Sequence, residues 1–148
     1  MKTIRLIISS IFLIFAVQSM AVAQSANISE TFKKHFNETV QQVQQAEDAD
    51  EKRMILNESF TRIINAIDRI DSQANLTEDQ IVQLHTYKLG IVEKMNELNG
   101  SDGFDEVLDE DLDDFSDYSQ QFIEQANRTI TIGVGTALLI LIILILLL

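Results

Sequence analysis

Read for its apolar positions, the chain divides into amphipathic stretches in the middle and two nearly continuous apolar runs at its ends. Phe32, Phe36, Val40 and Val43 recur at three- and four-residue intervals, the spacing of one helix face. Asn27 or Ser29 is placed to cap that helix, with Glu30 in its first turn. The segment 46–52 (AEDADEK) holds no large apolar residue and reads as a solvated stretch or a break between two helices. The pattern resumes with Ile55, Leu56, Phe60, Ile63, Ile64, Ile67 and Ile70.

Asn75 to Ile81 carries the sharpest local signature. Thr77 is the expected N-cap, Gln80 three residues on completes a capping box, and Leu76 and Ile81 are placed as a hydrophobic staple. In the helix that follows, Ile81, Leu84, Lys88, Ile91, Met95 and Leu98 alternate like the seam of a coiled coil, with Lys88 carrying its charge out to water on a long stem. Gly100 is suited to a left-handed cap at its end. A third helix is expected from about Asp102, with Phe104, Leu108, Leu112, Phe115, Tyr118 and Phe122 on one side. No Lys or Arg occurs from Ser101 to Asn127, and Asp105, Asp109 and Asp113, four apart, would repel on a helix surface. Arg62 and Arg69 are candidate internal partners for this acid. The expected fold is all-α: an amphipathic helical hairpin, three-helix bundle or coiled coil over residues 24–128, whose stripes meet within one chain or between chains.

The apolar ends define the rest of the organisation. Lys2 and Arg5, an apolar run over 6–17 and the small-x-small sequence Ala21-Val22-Ala23 predict an export signal over 1–23, cut between Ala23 and Gln24. An uncleaved anchor is the alternative, but the apolar run is short for a bilayer. At the other end, 130–148 has no charged residue, and as one helix it would extend roughly 28 Å, close to the hydrocarbon thickness of a bilayer. It is expected to be a C-terminal transmembrane helix, with Thr129, Gly133 and Ala137 forming a small-residue packing face. A signal for a glycosylphosphatidylinositol anchor is the rival reading, with Ser116 or Ser119 as attachment sites among poorly suited neighbours.

Charge and composition then narrow the function classes. Removing Lys2 and Arg5 leaves 9 basic residues against 23 acidic ones, a formal charge of −14. Nucleic acid is disfavoured as a partner, since phosphate contacts need clustered Lys and Arg. A basic protein, or self-association, fits better, with membrane lipid contacted through the C-terminal helix. With no cysteine, disulfides and thiolate sites are excluded, and a bacterial envelope location is favoured over a eukaryotic surface. Asn27, Asn37, Asn57, Asn75, Asn99 and Asn127 each begin an Asn-x-Ser/Thr triplet, glycan acceptors in a eukaryotic setting. Aligned on Gly103, the acidic stretch fails as a calcium loop, because Leu98 falls at the first ligand position. His35 and His85 read as surface or flanking residues, and no catalytic motif, cofactor or metal site is expected. The sequence therefore predicts a non-enzymatic, membrane-anchored extracytoplasmic interaction or spacer protein. A glycosylated, lipid-anchored surface protein and an accessory or sensor subunit of a membrane complex are the alternatives.

Overall fold

The computed structural model describes residues 26–127 and 132–148. The expected export signal and its Ala23–Gln24 junction lie outside the described residues, as does Thr129. The described chain is mostly helical: β1 (Ala26–Asn27), α1 (Ile28–Gln45), α2 (Ala49–Gln73), α3 (Glu78–Asn99), a 3-10 turn (Asp109–Asp111), α4 (Leu112–Asn127), β2 (Gly133–Val134) and α5 (Thr136–Leu147). The all-α expectation holds, and the chain reverses at 46–48, while 49–52 of the expected break already belongs to α2. Asp48 caps α2 by accepting from the backbone N–H groups of Asp50 (2.8 Å) and Glu51 (3.3 Å). Four helices, rather than three, therefore build the bundle.

Cross-helix pairs fix their directions. His35 meets Ser59 and Arg53 meets Leu98, while Lys88 meets Asp68 and His85 meets Asp71. Lys33 pairs with Glu124, Asn37 with Gln120 and Gln44 with Asp117. In the last two sets one residue number rises as the other falls, so α2–α3 and α1–α4 are antiparallel neighbours. Short loops impose the same arrangement on helical hairpins. The core between them is apolar and partly aromatic. Phe36 and Phe60 stack at 5.4 Å, Phe115 meets Phe60 edge-on at 6.5 Å, and Leu56, Ile63, Ile67, Leu84, Ile91 and Leu112 are fully buried.

The local signals around α3 are realised. Thr77 accepts from Gln80 N–H while the Gln80 side chain accepts from Thr77 N–H, and Gly100 closes the helix at φ 62°. The buried face of α3 departs from the expected seam. Leu84, Tyr87, Ile91, Lys94 and Leu98 point inward, so Tyr87 and Lys94 occupy the places expected for Lys88 and Met95. Both sets have three-four spacing. Aromatic rings on α1 and α4 decide between them, because Tyr87 stacks on Phe32 and Phe122 while Lys94 lies over Tyr118.

The acidic helix expected from Asp102 begins instead at Leu112. Asp102 takes φ 54° and Gly103 φ 89°, which breaks any helix there, and residues 104–108 run without regular structure. Phe104 and Leu108 are consequently exposed rather than on a packed stripe. The loop separates carboxylates that a helix would have stacked four apart. The cationic partners of the acidic segment are Arg53, on the loop, and Lys52, on the first turn of α4, not Arg62 and Arg69. Arg53 donates to Leu98 O and Val107 O and pairs with Glu106 and Asp109, while Lys52 pairs with Asp113 at 2.7 Å.

The tail is also not one helix over 130–148. Gly133 and Val134 are extended and pair antiparallel with Asn27 and Ala26, and α5 spans only 12 residues. That length is roughly 18 Å, against roughly 30 Å of hydrocarbon. Among the described residues no helix is long and apolar enough to cross a membrane. Gly133 in β2 and Ala137 in the first turn of α5 share no helix face, so the expected packing stripe is not formed.

Candidate functional site

Helix α5 has no polar residue after Thr136, so nothing in its sequence gives it a face for water. It lies on α2 with Ile142 and Leu146 buried and Leu138, Leu139 and Ile145 partly covered. Its opposite side leaves Ile140 (54%), Ile143 (37%), Leu144 (48%) and Leu147 (67%) exposed. These positions are three or four apart, so they form one continuous apolar strip. Gly133 and Gly135 flank the strand residue Val134, and a Cβ at Gly135 would touch nothing within 4 Å.

Beneath the last turn of α5 lies a cavity of about 140 Å³, lined by His35, Glu38, Ser59, Arg62, Leu146 and Leu147 among others. Its floor is a chain of polar groups, with Ile55, Leu146 and Leu147 as its apolar lining. Thr39 Oγ1 donates to His35 O at 3.1 Å and lies 2.8 Å from Ser59 Oγ, which lies 3.1 Å from His35 Nε2. The protons can be counted. Thr39 spends its single proton on the carbonyl, so Ser59 must donate to Thr39, and His35 Nε2–H must donate to Ser59. The serine–histidine contact therefore runs in the wrong direction for histidine to act as a base toward Ser59. Burial, followed by the nearby Arg62 guanidinium, lowers the His35 pKa from 6.5 to about 4. Arg62 itself donates to Leu146 O at 3.3 Å, near the carbonyl end of α5, and pairs with Glu58 at 3.3 Å.

His35 thus differs from the expectation of a flanking residue, whereas His85 is exposed and pairs with Asp71 at 3.2 Å. The sequence did carry a signal for the buried pair. Thr39 falls three after Phe36 and Ser59 one before Phe60, so each hydroxyl sits on its helix's apolar face. Thr39 and Ser59 also close the triplets that begin at Asn37 and Asn57. The asparagines have structural partners of their own. Asn57 and Asn99 exchange hydrogen bonds at 2.9 and 2.7 Å, and Asn37 accepts from Gln120 at 2.7 Å.

Comparison with protein-family profiles, characterised proteins and solved structures finds no match to this chain. Its function rests on its own residues.

A second surface feature is the apolar groove between α3 and α4, lined by Val82, Leu89, Gly90, Phe122 and Ala126. Gly90 permits it: a Cβ there would come within 2.2 Å of Phe122 Cζ, so the ring lies directly against the α3 backbone. The candidate lipid-attachment residues Ser116 and Ser119 are both buried within α4. No cluster of three or more metal-ligating side chains occurs among the described residues.

Proposed function

We propose that this protein is an exported helical module held at the outer side of a membrane by its C-terminal apolar segment, acting by contact rather than by catalysis. The observation that carries this reading is the exposed strip Ile140, Ile143, Leu144 and Leu147 on a helix with no polar face. An apolar strip of this kind suits hydrocarbon rather than water. Released from α2, residues 130–148 as one helix would extend roughly 28 Å, enough for the apolar layer of a bilayer. The pairing of β1 with β2 supports the same reading. It brings residue 26, three beyond the expected signal cleavage site, beside residue 134 at the start of the tail, so the beginning of the described chain and the start of its apolar tail meet at one pole.

The acidic loop over 101–111 is the surface offered to a basic partner, with Phe104 and Leu108 exposed among its carboxylates. The lipid-anchored alternative draws no support from Ser116 and Ser119, since cleavage at either would cut through the buried face of α4. Membrane flotation tests the proposal. The full chain is expected to float with vesicles at a pH between 4.5 and 7.5, and a chain ending at Asn127 to remain soluble and helical by circular dichroism. Equal flotation of the two chains would sink it.

A further inference from the structure

The tail that serves as an anchor in this reading has a second resting place, on the bundle, and the docked position covers a titratable group. We propose that α5 is a latched membrane anchor, held over the His35 cavity at neutral pH and released into a bilayer when His35 takes up a proton. The inference rests on the membrane reading for its destination, but not for the release step.

The geometry supplies the latch. The last turn of α5 lies over the cavity through Leu146 and Leu147, and Arg62 holds its end by donating to Leu146 O. His35 already uses Nε2–H on Ser59, so an added proton goes to Nδ1 and makes an imidazolium beside the Arg62 guanidinium. Two cations would then share a site roofed by leucines. The charged groups lining the cavity and the adjoining groove with His35 are Glu30, Lys34 and Glu38 on α1, and Glu58 and Arg62 on α2. Helix α5 brings no ionisable side chain to it. Glu58 is engaged with Arg62, and Glu38 is exposed to water that screens it. Protonation therefore sets His35 against Arg62 and weakens the Arg62 contact that ties down α5. Swinging α5 away admits water to both. The glycines at 133 and 135 give the backbone a place to turn, and α5 has the bilayer to enter.

The direction with pH follows by linkage. The docked state holds the His35 pKa at about 4, below its ordinary 6.5. The released state takes up the proton first, so docking is undiminished above pH 6.5 and is lost progressively as pH falls toward 4. If release restores the whole shift, the docked-to-released ratio falls by up to about 300-fold from well above pH 6.5 to well below pH 4, of which about 80-fold lies within that window.

The chain has no cysteine, so Ile145→Cys gives one thiol for an environment-sensitive fluorophore on α5. In lipid-free buffer, the labelled chain should report exposure of α5 between pH 6.5 and 4 while far-ultraviolet circular dichroism stays helical. His35→Gln, which keeps a donor for Ser59 but cannot take up the proton, should abolish that response. The wild-type chain is also titrated by NMR. His35 should titrate well below the ordinary histidine value of 6.5 and in step with release. Release at the same pH in His35→Gln, or a His35 midpoint at 6.5, would overturn the latch. If His35→Gln fails to fold, the wild-type titration decides alone. Phosphatidylcholine vesicles are then added. Release without flotation at any pH refutes the membrane reading and leaves the latch standing. Flotation that is equal at pH 7.5 and 4.5 refutes the latch and leaves the anchor.

Discussion

The ammonium of Lys94 on α3 lies 4.6 Å from the centre of the Tyr118 ring on α4 and donates a hydrogen bond to that ring's hydroxyl at 3.2 Å. It also pairs with Glu97 one turn along its own helix. Burial works against the charge, but the hydrogen bonds and charge of Glu97, with Tyr118, outweigh it and raise the lysine above its ordinary pKa. This one side chain ties α3 to α4 across a boundary that is otherwise the apolar groove floored by Phe122. Lys94→Met, which keeps the stem and removes the charge, should shift stability by less than about 1.5 kcal/mol. Glu97→Leu, which strips the buried ammonium of its anion, should cost more, about 2 kcal/mol. Urea unfolding of both variants checks the order. Equal costs would mean that the Lys94 stem, not its charge pairing, is what matters.

Phe60 is fully buried between Phe36 and Phe115, joining α2 to both α1 and α4. Phe60→Ala is expected to cost about 3–5 kcal/mol, through lost apolar burial and the cavity left behind. Met54, 55% exposed on the same helix, gives the control. Met54→Ala should change stability by no more than about 0.5 kcal/mol. Thermal melts followed at 222 nm separate the two.

The ends of α3 make a matched pair of tests. Thr77→Ala removes half of a reciprocal cap and should cost about 1 kcal/mol. Gly100→Ala meets two obstacles at once. Its φ of 62° disfavours a side chain, and a Cβ would lie 2.9 Å from both Glu106 N and Glu106 Cβ. The loss should exceed about 1 kcal/mol, and hydrogen exchange should rise in the 101–111 loop as well as in the last turn of α3.

Arg53 holds that loop against the bundle through two carbonyls and two carboxylates. Arg53→Gln should lower stability by about 1–3 kcal/mol and speed amide exchange across 101–111 while α1 stays protected. Arg69, which looked equally suited to the acidic segment, is exposed on the far part of α2. Arg69→Gln should change stability by less than about 0.5 kcal/mol. A larger effect at Arg69 than at Arg53 would contradict the assigned partners.

What the sequence determined by itself was local. Helical periodicity placed the bodies of α1, α2 and α3, because residues three and four apart share a face whatever the helix packs against. The Thr77–Gln80 box and the Gly100 cap were legible for the same reason: donor, acceptor and backbone angle lie within a few residues of one another. Phe36, Phe60, Ile63 and Leu84 were identifiable as core residues from these stripes. Tertiary structure decided everything that depends on which stripe meets which. Tyr87 and Lys94, rather than Lys88 and Met95, turn inward because rings from α1 and α4 receive them. Asp102 to Leu108 leaves the expected helix at the left-handed angles of Asp102 and Gly103, and Val107 O and Glu106 meet Arg53, fifty residues earlier in the chain. Beyond the hydroxyls of Thr39 and Ser59 on their apolar faces, the candidate site was not legible, for the same reason. His35, Ser59, Arg62 and Leu146 come from three helices, and their common cavity exists only where α5 folds back across α2. An apolar tail reads alike whether it is to meet a protein or a bilayer, because burial of apolar surface is non-directional, and only the packing reveals which of its residues the bundle covers.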